Sequence, residues 1–168
     1  MTILCGQIFI VDKTAQTFMN IDVIHRIGNM DSDAVRKRAT TATVEGNKFL
    51  VMHPLDVLVS RVENYRGILD KRNRNGLRQI ELSIEVASRF VIEAQMRNEA
   101  IALKAIEKIA ETARCPAGVL ARKNGADIYD AIQPDMLKTI IKNEQFLSIR
   151  LPLLIAEINK LKGCNEPM

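Results

Sequence analysis

In this 168-residue chain, the residues whose type and spacing could hold a divalent cation are Asp31-Ser32-Asp33 and Asp22, which sits inside the apolar run FMNIDVIH. Alternate strand positions point to one face, so acids at such spacing can converge on Mg2+ and serve metal-assisted phosphoryl transfer. Asp31 and Asp33, however, follow a Gly28-Asn29 turn signal and open the helix-like DSDAVRKRA, where helix capping is the favoured role. Asp22 differs, because a lone charge on an apolar strand is costly unless it is exposed, paired or bound to a cation. Edge exposure is the favoured reading of Asp22, with a metal site as the alternative.

Other chemistry is thinly represented. His25 and His53 lie far apart with no glutamate at helical spacing, against a zinc hydrolase, and no G-x-S-x-G, P-loop or G-x-G-x-x-G occurs. His53, beside Pro54, reads as a strand-end residue rather than a base. Cys5, Cys115 and Cys164 form no C-x-x-C pair and leave an odd thiol, which predicts reduced cysteines in a cytoplasmic protein. The opening MTILCGQIFIVDK lacks the basic start and cleavage site of a signal peptide, and no 18-residue apolar run occurs, so no membrane association is expected. Between Arg61 and Arg78, six basic residues face two acidic ones, an excess equal to the whole formal net charge of +4. Such a patch suits a phosphate-bearing partner, although a solvated helix face is the commoner explanation.

These groups need elements to position them. Stretches 3–11, 17–25 and 42–52 are rich in Ile, Val, Phe and Thr and read as strands, with a hairpin tip at 45–48. A short helix at 31–39 separates them. From Pro54 the period becomes helical: Leu55, Leu58, Val59, Val62 and Tyr65 form one stripe, until DKRNRNG breaks it. Leu55, Leu58 and Val62 are expected to bury against the sheet. A stripe from Leu77 to Ala113 predicts a longer continuous helix, stopped or kinked by CPAG. Shorter helical segments follow, and a last helix is interrupted or started at Pro152. The predicted fold class is α+β, a small N-terminal β-sheet with a short helix followed by a C-terminal helical bundle. The division falls at residues 1–53 and 54–168.

The segment from Asn20 to Asn73, most specifically VMHPLDVLVSRVEN at 51–64, resembles bacterial nucleotidyltransferase-like proteins of the DNA polymerase β superfamily. LRQIELSIEVASRFV and IEKIAETARCPAGVLARKNGADIYDAI with FLSIRLPLLIAEI extend a looser likeness to nearly the whole chain. The resemblance implies a strand carrying the third acidic residue, here Asp22, then a hairpin, then a helix bordering a nucleotide-side cleft. Arg61, Asn64, Arg66 and Arg72 are the candidates for binding nucleotide or nucleic acid. The family's Gly-Ser or Gly-Gly turn and its paired acids have no counterpart, because no glycine here is followed by Ser or Gly.

The chain therefore reads as the C-terminal part of a nucleotidyltransferase-like protein, not catalytically competent alone. It would use Mg2+ only if other carboxylates were supplied, for a single carboxylate holds the ion weakly. The partners expected are a second copy or a separately encoded N-terminal part, with Ile8–Val11 and Ile21–Ile24 buried across a dimer, and a nucleotide or RNA. The alternative is a non-catalytic helical module that binds nucleic acid or protein.

Overall fold

A computed structural model describes residues 3–12, 14, 17–26 and 30–163, with side chains at 14, 30–43 and 45–161. Strand β1 (Ile3–Asp12) pairs antiparallel with β2 (Thr17–Arg26), placing Gln7 opposite Asp22. Helix α1 (Ser32–Arg38) follows, and Asp31 is its cap: the Asp31 carboxylate accepts from the N–H groups of Asp33 and Ala34 at 2.9 and 3.3 Å. Strands β3 (Thr40–Val44) and β4 (Asn47–Val51) form a second ribbon. Its two-residue turn puts Glu45 and Gly46 at φ 50° and 80°, the left-handed pair that matches the strands' twist. The expected sheet is thus two separate two-stranded ribbons.

The rest is helical, so the fold is α+β and mostly helix. Helix α2 (Pro54–Gly67) begins at the proline, whose missing N–H would have had no helical partner anyway. Its Leu58, Val62 and Tyr65 are buried, and among the described residues they pack with α3 (Arg74–Arg97), α4 (Glu99–Arg114) and α5 (Pro116–Lys123) rather than against a sheet. The expected continuous helix over 77–113 is two helices. Asn98, with φ −160° and ψ 111°, ends α3 and caps α4, its side-chain oxygen accepting from the Ala100 N–H at 2.9 Å. The apolar stripe runs unbroken through that bend because both helices turn the same kind of face to one core. Small side chains dominate the contact on α4, where Ala102, Ala105, Ala110 and Ala113 are buried with Ile106 and Ile109, allowing close approach of the neighbouring helices.

CPAG acts as a stop and a restart. Cys115 ends α4, its thiol donates to the Thr112 carbonyl at 3.0 Å, and its sulfur accepts from the Gly118 N–H at 3.4 Å. A 3-10 turn (Ile128–Ala131), α6 (Pro134–Ile140), a π-helical turn (Phe146–Arg150) and α7 (Leu151–Gly163) complete the described residues. The wide turn ends two residues before Pro152, which has no N–H and cannot continue a regular ladder.

Candidate functional site

The four cationic or amide residues singled out in the sequence lie on α2 and the turn after it, but they do not converge. At about 100° per residue, Asn64 lies near Arg61's face of α2 while Arg66 points well away from it. Arg61 is half-buried and donates to the Gln79 side chain on α3 at 3.3 Å. Arg72 turns back on α2, its Nε donating to the Tyr65 carbonyl at 3.3 Å and its Nη2 to the Arg66 carbonyl. Those are last-turn carbonyls with no helical partner, so Arg72 caps the helix. Arg66 and Arg74 remain exposed and make no ion pair among the described residues.

The turn that carries these groups is rigidly built. Asn73 accepts from the Gly76 N–H at 2.9 Å and donates to the Asp70 carbonyl at 2.7 Å. A Cβ on Gly76 would lie 1.8 Å from the Lys71 carbonyl oxygen, so only glycine lets α3 start this close to the preceding turn.

A second cluster joins α1 to the start of α2. Asp56, in the first turn of α2, is 6% exposed and is clasped by Arg38 through two hydrogen bonds of 2.9 Å each. His53 is the cap of α2: its Nδ1 accepts from the Leu55 N–H at 3.2 Å, and its ring meets Phe90 of α3 edge-on at 4.6 Å. Burial holds the His53 pKa below its ordinary value; Asp56 opposes that shift and Arg38 adds to it. Sequence reading placed His53 correctly at a strand-to-helix junction. It passed over Asp56 and Arg38, whose signal was an acid two residues after a His-Pro cap together with the basic VRKR of α1.

A third cluster fastens α7 to the bundle. Arg114 holds Glu157 by two hydrogen bonds of 2.8 and 2.9 Å, and the buried Tyr129 hydroxyl donates to the same carboxylate. Arg150 holds Glu107 in the same two-pronged way at 2.5 and 2.6 Å. Each arginine lowers its glutamate's pKa, while burial, followed by the Glu157 contact, pushes Tyr129 up to about 12. Arg122 stands over the Tyr129 ring, 5.8 Å from its centre. An open groove of about 430 Å³ runs along α4 beside the π-helical turn, lined by Leu103, Lys104, Glu107, Lys108, Glu111 and Phe146.

Asp22 occupies the middle of β2, and its side chain lies outside the described residues, as do those of Ile8–Val11 and Ile21–Ile24. Among the described residues no group of three or more His, Cys, Asp or Glu side chains is placed to hold a metal ion, and no helix is long and apolar enough to cross a membrane. Compared with protein-family models, curated proteins and solved structures, the chain matches none.

Proposed function

We propose that the chain is the helical part, with remnant strands, of a nucleotidyltransferase-like protein, inactive alone and completed by strands and carboxylates from another polypeptide. The observation that carries this reading is the β3–β4 ribbon. All five residues of β4 are exposed, with Phe49 53%, Leu50 64% and Val51 42% accessible. Phe49 and Val51 share one face with Asn47, and Leu50 shares the other with Lys48, so each face of this open-edged strand carries an exposed apolar side chain. An isolated two-stranded ribbon is marginal in water, and such an edge is a template for a further strand. The Mg2+-binding acids that the resemblance requires would arrive with that strand, beside Asp22.

The test is twofold. The isolated chain, incubated with Mg2+ and each of the four ribonucleoside triphosphates, is expected to give no transfer, and turnover lost in Asp22→Ala overturns the reading. In sedimentation at tens of micromolar the chain is expected to self-associate through this edge in the absence of its natural partner, and Leu50→Lys to return it to monomer. A monomeric wild type whose Phe49–Val51 amides resist hydrogen exchange would also overturn it.

A second reading, a nucleic-acid-binding module, is favoured by Arg66 and Arg74, exposed and without ion pairs beside the α2–α3 turn. It predicts salt-sensitive binding of single-stranded RNA, weakened several-fold by Arg66→Glu and unaffected by Leu50→Lys. Binding that is indifferent to salt and to Arg66→Glu rules this reading out.

A further inference from the structure

The junction of α1 with α2 contains one carboxylate within reach of two basic groups. Asp56 gives both oxygens to Arg38, so this bidentate contact ties α1, with the ribbon that follows it, to the helical bundle. His53 is next to that contact and presents an unprotonated Nδ1 to the Leu55 N–H. That arrangement requires the neutral ring, with its proton on Nε2. The charged groups acting on His53 are Asp56, from the first turn of α2, and Arg38, from α1. From α3 the group that faces it is the uncharged Phe90 ring.

We propose that His53 is a proton-operated latch between residues 30–52 and the bundle. With the ring neutral, His53 caps α2 and leaves Asp56 to Arg38. A proton taken from solvent onto Nδ1 converts that atom from acceptor to donor, and the Leu55 N–H loses its partner. The same proton places a second cation at a helix N-terminus, where positive charge is disfavoured. Asp56 is the carboxylate that acts on the new charge, and sharing it between two cations weakens its hold on Arg38. The weakened contact releases α1 and the ribbon.

The direction of the pH effect follows from burial of the ring. A histidine whose folded pKa is held below its unfolded value of about 6.5 supports the folded junction above that pH and loses this support as pH falls through the folded value. The inference concerns how residues 30–52 are attached and goes beyond the proposed function, standing whether or not the chain takes part in nucleotide transfer.

The experiment compares pH 7.5 with pH 5 by hydrogen exchange, corrected for intrinsic exchange chemistry, in the full chain carrying His25→Gln. Since His25 is the one other histidine, the remaining imidazole signal in a parallel NMR titration belongs to His53. Amides of residues 34–51 are expected to open about tenfold more readily at pH 5, the scale of a lost helix cap combined with a weakened charge contact. His53→Asn keeps a cap acceptor but cannot titrate, and should show no such pH difference. Arg38→Met should open these amides at both pH values, with no further change on acidification. Identical pH profiles for the parent and His53→Asn overturn the latch. If His53→Asn does not fold, a pH response that persists in Arg38→Met, or an Arg38 side-chain NMR signal indifferent to the His53 titration, overturns it instead.

Discussion

Replacing Gly76 with alanine is expected to cost about 3 kcal/mol of folding stability, toward the upper end for forcing added atoms into a packed site. Two effects compete at this position. Alanine is the better helix former by about 1 kcal/mol in a helix interior, and less than that in the first turn, where Gly76 sits. Against it stands a Cβ placed 1.8 Å from the Lys71 carbonyl oxygen and 3.2 Å from the Tyr65 ring. The first obstacle is backbone, not the end of a flexible side chain, so either α3 or the 69–73 turn must move. Moving the turn withdraws the Arg72 cap from α2; moving α3 opens the core at Ile80 and Val62. A urea titration should show a lower midpoint with unchanged slope. A variant within about 0.5 kcal/mol of wild type, the range of ordinary surface changes, would show that the turn is not held as described.

That turn also shows what sequence can and cannot reveal here. DKRNRNG announced a break through its polar run and glycine, and the α2 stripe ended where the structure ends it, because turn chemistry is local. The break at Asn98 carried no glycine or proline. An asparagine can cap one helix and end another without disturbing the apolar period, so periodicity alone joined α3 to α4. The burial of Leu58 and Val62 was legible, but their partners were not. A helical stripe states that a face is covered and is silent on whether a sheet or other helices cover it.

The candidate site was less legible than the fold for a related reason. Charge clustering along the sequence placed Arg61, Arg66 and Arg72 within one short region, yet helix geometry disperses them, and Arg72 is committed to carbonyl groups. Among the charged residues that do meet, the pairs that fasten one element to a distant one, such as Arg38 with Asp56 and Arg114 with Glu157, are separated by 18 and 43 positions. Pairings at that distance depend on how helices pack, and no local pattern encodes them.

Glu157 lets that long-range packing be tested, with an expected loss of about 1–2 kcal/mol at pH 7 on Glu157→Gln. Charged hydrogen bonds contribute about 1.5–3 kcal/mol when sheltered. The estimate is reduced because the Arg114 and Glu157 side chains are 38% and 29% exposed, so solvent screens the pair. Glutamine retains an oxygen that can accept from Tyr129, so what is lost is chiefly the charge contact with Arg114. The pH dependence then has a definite sign. The Arg114 and Arg150 guanidiniums hold Glu157 and Glu107 below the ordinary glutamate value of about 4.3. Their contribution is complete above that value and is lost as pH falls through the folded values. Wild-type stability should therefore decline further on acidification below about pH 4.3, with α7 amides losing exchange protection in that range. Glu157→Gln should start lower and fall less steeply, having lost the Glu157 share. Tyr129→Phe removes a neutral donor, should cost about 1 kcal/mol and should keep most of the acid dependence, because Arg114 is the larger cause of the Glu157 shift. If Glu157→Gln kept the full wild-type decline, α7 would be held by apolar burial of Leu151, Leu154 and Ile158 and not by these ion pairs.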